Sequence, residues 1–467
     1  MKSPGVTSLF KRAVFILGLA VLISQASVFV VLGEQSLSES FESADYEEFE
    51  EEETLSWLPE SMLLVWDINY SMYAHRQDHL LNPEEAFFSF DNQKGVTSLD
   101  LEWNPVLSDS LTLRTREVVE YVSTDSKSEL NAYLLEGYLQ WINGSRDLIV
   151  DLGKIKLEWG SGYAWKPTQV IFRDDSNLDT DKESDEGLEM IQVEFVIKNT
   201  TNTLLFAALE DEDGTQESHP WQAAYRISLE SEPWEISLLY HKTSEAVTTT
   251  GLSFTGLLSD AFEIHGEWAK TDNRDRQTIV KAGDGIQMGP VYLPARYAYE
   301  ADVSDRDFDK VLLGAQYTFP NDMNVIVELF RTTHGYSETE WQRVITGIDE
   351  ALIEKAWENA AFASSQGNPY AGFLQQTMGL NEITSLRQNY LFLRWTSGET
   401  ENLWEWEQIF QLNLDDESQM SIAKIHKALS NSIKTELSCY FFRGGPSSEH
   451  GLNPYTEFCS LAMAMGF

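Results

Sequence analysis

The sequence predicts an all-β fold, a transmembrane antiparallel up-and-down β-barrel of about 18 strands. Apolar and polar residues alternate along many short segments, and the stretches that connect these segments are by turns long and short. Aromatic residues are abundant (14 Trp, 18 Tyr and 24 Phe), yet the mean hydropathy is only −0.31. A barrel strand turns every second side chain to lipid, so this moderate hydropathy agrees with a barrel.

The alternation is clearest at the end of the chain, over residues 457–467. Successive side chains of a strand point to opposite faces, so this segment has one face of large apolar residues and one of small residues. The large face holds Cys459, Leu461, Met463, Met465 and Phe467, and the small face holds Ser460, Ala462, Ala464 and Gly466.

Such a segment, ending on an aromatic residue, resembles the closing strand of Gram-negative outer-membrane β-barrels. The resemblance implies that the assembly machinery reads the terminal Phe467. As the last of about 18 strands, this segment is expected to pair with the first one near residues 62–73, which places both ends on the periplasmic side. Its small face leaves room for an inserted loop or helix beside it. The edge strand of a soluble β domain is the alternative.

The chain is predicted to divide into three regions. Residues 1–33 combine basic residues with an apolar run over 13–32, which indicates a secretory signal peptide, with an uncleaved anchor helix as the alternative. Residues 34–60 form an acidic periplasmic segment that repels itself and stays solvated. Residues 61–467 form the predicted outer-membrane β-barrel.

Segments of alternating residues recur along this third region. Between the first and last strands they lie near 99–103, 111–116, 133–141, 148–159, 191–197, 203–209, 221–229, 234–240, 248–257, 262–268, 311–319, 325–329, 391–395, 404–414, 420–428 and 433–442. The long connections all fall on one side of this series and the tight turns on the other. A soluble sandwich has no reason to keep that order, so the barrel is favoured.

In the strand near 148–159 the alternation changes phase at Gly153, as it does at a β-bulge. This places Ile155, Leu157 and Trp159 outside, and Lys154, Lys156 and Glu158 inside. The segment that follows, Trp159-Gly-Ser-Gly-Tyr-Ala-Trp-Lys-Pro-Thr168, resembles a W-G-x-G loop segment of large porin-like outer-membrane proteins, although Lys166 stands where Asn is expected. It either narrows the lumen or forms an extracellular hairpin. The candidate constriction residues are Trp159, Gly160, Gly162, Trp165, Lys166 and Pro167.

The inward faces are expected to carry charges of both signs, with acids in excess. The pore-lining candidates are Arg114, Arg116, Lys154, Lys156, Glu158, Glu263, Glu267, Glu328, Glu405 and Glu407. The basic members would line one wall and create a transverse field, a feature that the resemblance to porins implies. The formal net charge of −42 excludes a nucleic-acid partner, because a phosphate backbone binds basic surfaces.

A helix is predicted in the longest connection. Ser337 and Glu340 have the spacing of a capping box, apolar residues recur at helical spacing from Trp341 to Ala356, and Gly367-Asn-Pro369 is expected to end the helix. This helical insertion in a long extracellular loop would either plug the lumen or cap the outer end of the barrel.

Few residues point to chemistry. Cys439 and Cys459 are expected to be small, lipid-facing hydrophobic residues, with a cross-strand disulfide as the alternative. The histidines are scattered, and Glu263, His265 and Glu267 more simply line a pore than bind a metal. No motif of a nucleophile elbow or nucleotide site occurs in the sequence. We therefore expect no catalytic residue and no cofactor, with divalent cations at the acidic loops as the alternative.

These features predict a porin-like channel of the bacterial outer membrane, for diffusion or selective uptake of small hydrophilic solutes. Its expected partners are outer-membrane lipid and lipopolysaccharide, the barrel assembly machinery and the solutes themselves. A non-conducting or export barrel that handles surface polysaccharide, or a barrel enzyme at the cell surface, are the alternatives.

Overall fold

A computed structural model describes residues 61–77, 79–171, 186–208, 221–244, 247–272, 277–301, 307–359, 367–380, 385–398 and 404–467. Within these ranges, eighteen long strands form one closed antiparallel sheet. They are β1 (Met62–His75), β2 (Gln93–Trp103), β3 (Leu111–Thr124), β4 (Ser128–Ile142), β5 (Leu148–Ile155), β6 (Leu188–Ile197), β7 (Thr200–Ala208), β8 (Trp221–Ser231), β9 (Trp234–Thr243), β10 (Thr248–Ser259), β11 (Phe262–Asp272), β12 (Phe308–Thr318), β13 (Asn324–Thr332), β14 (Asn389–Thr396), β15 (Trp404–Asn413), β16 (Gln419–Ser430), β17 (Ile433–Arg443) and β18 (Tyr455–Gly466).

Each strand pairs with its neighbours in sequence, and β18 closes the ring by pairing with β1 from Val65/Gly466 to His75/Tyr455. The predicted strand count and closure are therefore confirmed. The connections that follow even-numbered strands, such as Glu232-Pro233, are tight, whereas the longest ones follow β1, β5, β11 and β13. The signal and acidic segments of residues 1–60 lie outside the described residues and stay predictions.

Alternate side chains of the strands face opposite environments. On β12, Leu313 is 53% exposed on the outer face whereas Leu312 is 1% exposed on the inner face, and Leu329 and Glu328 of β13 show the same contrast. The outer face thus carries the large apolar residues, as the alternation predicts. None of the helices in the described ranges has the length and apolar character that crossing a bilayer requires.

The closing strand keeps the predicted faces but not the predicted free cysteines. Ser460 is buried on the inner side and hydrogen-bonds to Ser438 of β17 at 2.7 Å. Cys459 lies on the outer side directly opposite Cys439, and the two form a disulfide bond. The strand register makes the bond possible, because the Cβ atoms of directly opposite residues on adjacent antiparallel strands lie close enough for a disulfide.

The predicted phase change at Gly153 is wrong. The pairing of β5 with β4 continues without a shift from Ile142/Ile149 to Gly137/Lys154, so Ile155 lies inside the barrel, buried with Trp159. A register shift occurs instead between β3 and β4, where Leu135 is the extra residue opposite Arg116 and Glu117. The apolar residues after Gly153 face inward because the chain turns into the barrel there.

Two helices lie in the loop between β13 and β14, α1 (Glu338–Leu352) and α2 (Pro369–Gly379). The capping box of Ser337 and Glu340 is present at the start of α1. Gly367-Asn-Pro369 does not end this helix, which stops near Ile353; instead, Asn368 caps the start of α2 with its side chain. Asn followed by Pro is also a helix-start signal, and here that role prevails.

Both helices pack into a cluster of loop residues that we call the roof. Val344 and Ile348 of α1 and Phe373 of α2 meet Leu81, from the loop after β1, and Ile279, from the loop after β11. The loop after β11 also holds two short hairpins, Gln277–Gly283 with Arg296–Ala301 and Ile286–Met288 with Val291–Leu293. Of the two predicted positions, α1 thus takes the one that caps the long-loop end of the barrel.

Candidate functional site

The chain after β5 folds into the barrel, and residues 156–171 are called the inserted loop. Ala164 and Trp165 at its centre are buried in a cluster with Leu312, Phe330 and Phe392, which are inward residues of β12, β13 and β14. The inserted loop does not pack beside the small face of β18, where space was expected, but against this other part of the wall. A lumen position, one of the two predicted for Trp159 to Thr168, is therefore the observed one.

Glu267 of β11 holds the inserted loop by hydrogen bonds to both of its carboxylate oxygens. Its Oε1 accepts from the backbone N–H groups of Ser161 (2.5 Å) and Gly162 (2.8 Å). Its Oε2 accepts from the backbone N–H (2.8 Å) and the hydroxyl (2.7 Å) of Thr168. Bonds of this kind to an ionised acceptor are shorter and stronger than neutral ones, so Glu267 is a main attachment point of the loop.

Glu328 of β13 is the second attachment point. Its carboxylate accepts from the backbone N–H groups of Tyr163 (2.5 Å) and Ala164 (2.9 Å), and it lies 2.9 Å from His265 Nε2. It is fully buried. The two predicted pore-lining acids therefore lie on the inner wall, but the loop covers both.

The glycines of the W-G-x-G segment allow the loop to approach the wall this closely. Gly160 has a φ of +109°, and a Cβ there would lie 2.8 Å from Glu267 Oε1. A Cβ on Gly162 would overlap the carbonyl oxygen of Trp165 and the side chain of Leu312. A larger residue at either position would displace the loop from Glu267.

Trp165 anchors the loop by its ring. The indole stacks on Phe330 with ring centroids 4.8 Å apart and touches Tyr390, while its Nε1 donates to Ser385 Oγ at 2.8 Å. Offset aromatic pairs of this geometry add about 1 kcal/mol to the free energy of burial. The Trp165 indole thus fills the space between the barrel wall and the segment that precedes β14.

The two ends of the inserted loop are held together. The Gln169 side chain accepts from the Trp159 backbone N–H and donates to the Leu157 carbonyl oxygen at 2.5 Å. Trp159 and Pro167 are both buried. These contacts fix the loop as a closed turn within the lumen.

The charged residues near the loop are mostly paired. Glu158 lies 3.7 Å from both Lys156 and Lys166, so these three predicted residues do come together. Lys154 forms an ion pair with Glu186, and its register with Glu189 puts it on the outer face of the sheet rather than on the predicted inner wall. The predicted wall of basic residues is therefore not continuous at this position.

Of the two predicted arginines, Arg116 forms an ion pair with Asp100 of β2 (2.8 Å), whereas Arg114 is exposed on the inner face near Tyr138 and Asp151. Asp100 is almost fully buried by this contact. Arg116 therefore neutralises an acid of the wall, and Arg114 is the one of the pair that solvent in the lumen reaches.

The remaining predicted acids lie on the inner wall. Glu407 is buried and pairs with Arg394 and with Lys424 (3.5 Å). Glu405 is half-buried opposite His426, and Glu263 is 30% exposed at 3.8 Å from His265 Nδ1. Among the described residues, no group of three or more His, Cys, Asp and Glu is placed to hold a metal ion.

Several residues that matter at this site are not among the predicted pore-lining or constriction candidates. Thr168 and Gln169 attach the loop, and Asp100 and Lys424 neutralise predicted wall charges. The alternation of Asp100 and Lys424 with outward apolar residues shows which way they face. It carries no signal for which partner each one meets.

Comparison of the sequence with models of known protein families, and with curated proteins, gives no match. Comparison of the structure does give matches. The crystal structure of Pseudomonas aeruginosa OccK5 (OpdH) matches with a TM-score of 0.50 at 8% identity, over 87% of this chain and 97% of that one. Acinetobacter baumannii OccAB1 matches with a TM-score of 0.49 at 8% identity over 87% and 96%. Pseudomonas aeruginosa OccK2 (OpdF), solved in complex with glucuronate, matches with a TM-score of 0.46 at 9% identity over 87% and 97%. The likeness to OccK5 concerns the fold, and it agrees with the closed barrel described above.

Proposed function

We propose that this protein is an outer-membrane channel that lets small hydrophilic solutes pass, by diffusion or selective uptake. The observation that carries the proposal is the opposite character of the two faces of one closed sheet. Large apolar residues such as Leu238, Leu313 and Leu329 are exposed all around the outside, and only a lipid environment covers such a surface without cost. Charged residues lie inside.

The charged lining supports a water-filled passage. Glu235 is 49% exposed on the inner wall near the tight turns, Glu263 and Arg114 are also accessible there, and Arg226 of β8 pairs with Glu235 at 3.5 Å. Charged groups remain ionised at low cost only in contact with water or partners. This favours solvent in the half of the lumen below the inserted loop.

The exposed tryptophans support the membrane placement. Trp103, Trp141, Trp234, and Trp395 lie on the outer face close to the tight turns, where an amphipathic ring meets the headgroup level. A bacterial outer membrane, reached through the N-terminal signal, is the proposed location. Lipopolysaccharide and the assembly machinery are the proposed partners, together with the solutes.

We also propose a weak preference for cations. Among the wall residues, Arg116, Lys156 and Arg394 are paired with acids, and Glu235 lies 3.5 Å from Arg226. Glu263 lies 3.8 Å from a histidine, His265, and Arg114 is the accessible base. Acidic side chains lining a pore attract cations. The inserted loop narrows the passage and so sets the size of solute that passes.

The test is the current through the purified full chain in planar lipid bilayers. We expect discrete conductance steps, and a reversal potential in a potassium chloride gradient that indicates a modest excess of cation current. A clear anion preference would contradict the proposed selectivity. Absence of any current from folded protein would contradict the channel itself and leave an export barrel or a surface enzyme as the function.

The polysaccharide alternative requires free aromatic rings in the lumen. Trp165 packs on Phe330 and Phe392, and Tyr440 is buried and stacks on Phe458 at 4.2 Å, so these four rings do not favour it. Surface glycan that copurifies with the barrel, or loss of surface polysaccharide on deletion, would support it instead.

A further inference from the structure

Tyr390 of β14 touches both the inserted loop and the loops at the outer end of the barrel. Its hydroxyl donates to Glu449 Oε2, in the loop after β17, at 2.7 Å and accepts from the Arg387 backbone N–H at 2.6 Å. Its ring lies 5.6 Å from the indole of Trp165, at the centre of the inserted loop. The whole side chain is buried. One rigid side chain therefore joins a carboxyl group at the outer end to the loop that narrows the lumen.

The short segment before Tyr390 makes the same connection, and we call residues 385–389 the bridge. Ser385 Oγ accepts from Trp165 Nε1 at 2.8 Å. The next residue, Leu386, donates its backbone N–H to Glu449 Oε1 at 3.1 Å, and its side chain is buried in the roof. The inserted loop and the roof are thus bound to neighbouring residues of one segment.

Arg387 fixes the bridge to α1. Its guanidinium donates to Glu338 Oε2 at 2.6 Å, lies over the Trp341 ring at 5.2 Å and is 4.0 Å from Asp416 Oδ2. Trp341 in turn donates to the Ser447 carbonyl oxygen at 2.9 Å. The Arg387 side chain is only 1% exposed, and a buried charge is costly without its partners. A movement of the roof therefore moves the bridge with it.

The inserted loop has attachments of two kinds. Glu267 and Glu328 bind its backbone to the barrel wall, whereas Tyr390 and Ser385 bind the side chain of Trp165 to the roof. Loss of the second kind leaves the first in place. The loop would then stay in the lumen, but the Trp165 indole would no longer be held against the segment before β14.

We propose that Tyr390 and the bridge couple the inserted loop to the roof, so that the width of the lumen at the loop follows the contact between Tyr390 and Glu449. This rests on the proposed channel function and adds to it a positioning residue that acts through Trp165. Two states of the loop differ in whether this contact is made, so any change that favours one state of the roof shifts the loop as well.

Protonation is a change of this kind. Burial raises the pKa of Glu449 to about 7, so the stability from its contact is lost as pH rises from its ordinary 4.5 to about 7. Burial lowers the pKa of the adjacent His450 to about 4, and its effect has the opposite sign. The other titratable or charged groups around Glu449 are Tyr390 of β14, Asp415 and Asp416 after β15, Arg387 of the bridge and Glu338 of α1.

The experiment records single channels of the full chain in planar bilayers at pH 6 and pH 8. The readout is the ratio of time at a wider conductance level to time at a narrower one. Over this range Glu449 raises the ratio roughly tenfold and His450 lowers it roughly fourfold, so the wild-type ratio should rise roughly twofold. In Glu449→Gln only the His450 effect remains, and the ratio should fall roughly fourfold instead.

Tyr390→Phe tests the coupling residue itself. The variant keeps the ring beside Trp165 and removes the hydroxyl that reaches Glu449. We expect its ratio to be the same at both pH values, apart from titration of lumen groups such as His265, which every variant shares. A purely structural role of Tyr390 would change the conductance levels without removing their response to pH.

Tyr299→Phe is the matched control. The Tyr299 hydroxyl hydrogen-bonds to Thr377 Oγ1 at 2.9 Å within the roof and does not contact the bridge. This variant loses one hydroxyl from the roof, as Tyr390→Phe does, but the link to Trp165 stays intact. Its ratio should therefore respond to pH as in wild type.

Folding of each variant is checked by the mobility of unheated samples in gel electrophoresis. A folded Tyr390→Phe barrel with the wild-type pH response would overturn the coupling. If Tyr390→Phe does not fold, the sign of the response in Glu449→Gln decides: a fall supports the coupling and a rise overturns it. A folded wild type that conducts without any pH response contradicts only this inference, whereas one that does not conduct contradicts the channel proposal itself.

Discussion

His265 Nε2 of β11 lies 2.9 Å from Glu328 Oε1 of β13, although the two strands are not neighbours. Gly314 of β12 stands between them in the same row, and the imidazole passes over it. This contact orients the carboxylate that accepts from the inserted loop at Tyr163 and Ala164. The position of the loop therefore depends on a residue without a side chain on the intervening strand.

Gly314→Ala should separate the His265 imidazole from the Glu328 carboxylate. A Cβ at this position would overlap the His265 ring, so the imidazole must move away from Glu328. We expect a loss of about 2 kcal/mol, typical of overpacking, measured by urea unfolding in lipid vesicles. Gly372→Ala in α2 meets nothing within 4 Å and should be neutral or slightly stabilising; equal destabilisation by both changes would contradict the proposed overlap.

Gly162→Ala should release the inserted loop from the wall. The added Cβ overlaps Trp165 and Leu312, and the N–H group of this residue is one of the Glu267 donors. We expect the barrel to fold while chymotrypsin cleaves after Trp165 at least several times faster than in wild type. The control is Gly144→Ala, in the turn after β4, where a Cβ meets no atom; unchanged cleavage of Gly162→Ala would show that the loop does not need this close approach.

The roof should respond to pH through Glu449, in the loop after β17. Its carboxylate accepts from Leu386 N–H (3.1 Å), the Tyr390 hydroxyl (2.7 Å) and Asn413 Nδ2 (2.5 Å), and its burial raises its pKa to about 7. The pKa of Glu449 in the folded protein lies above its ordinary value of 4.5. Its contribution to the free energy of unfolding is therefore complete below pH 4.5 and is lost as pH rises to about 7. Burial lowers the pKa of the adjacent His450 from 6.5 to about 4, and its contribution is lost in the opposite direction, as pH falls from 6.5 to 4.

Glu449→Gln separates these two opposing effects. In the variant only the His450 contribution remains, so roof stability should rise from pH 4 to 6.5 and then stay level. In wild type the two partly cancel, and stability should decline between pH 6.5 and 7. Hydrogen exchange of the backbone amides at 386–390 and 449–452, corrected for the intrinsic rate, measures this; superimposable profiles for the two proteins would exclude Glu449 as the titrating group.

Removal of the disulfide should weaken the barrel without changing conduction. Cys439 and Cys459 are separated by 20 residues, and closing a loop of that length stabilises a fold by about 3 kcal/mol at most. The register of β17 and β18 already brings the two together, so we expect a smaller loss in Cys439→Ala/Cys459→Ala. The heat-induced gel shift should move to lower temperature with unchanged conductance, and the single variant Cys439→Ala should behave as the double one.

The strands were predictable because their signal is local. The alternation around Glu263, His265 and Glu267 assigns each side chain to a face, and β18 pairs with β1 as its pattern requires. The same signal failed at Gly153, where the apolar Ile155 and Trp159 suggested an outward strand. They are buried because the chain enters the lumen at this point. The alternation pattern is the same whether an apolar side chain faces lipid or is buried inside the barrel.

The attachments of the inserted loop were not predictable for a different physical reason. Glu267 meets Thr168 across a sequence separation of 99 residues, and any inward acid at this height has the same local pattern. Similarly, Asn368-Pro369 has the composition of a helix end and of a helix start. Only the packing of α2 against the hairpin Arg296–Ala301 decides between these.

The measurement that tests the account most directly compares single-channel conductance of wild type, Glu267→Gln and Glu194→Gln in planar bilayers. Glu267→Gln replaces one acceptor oxygen by a donor, so bonds to Gly162 or to Thr168 are lost and the loop no longer stays on the wall. The account predicts discrete steps in wild type, larger and noisier steps in Glu267→Gln, and wild-type steps in Glu194→Gln, whose side chain on β6 does not hold the loop. Two results would contradict a channel narrowed by this loop. In one, wild type and Glu267→Gln both fold but neither conducts; in the other, both conduct with identical steps.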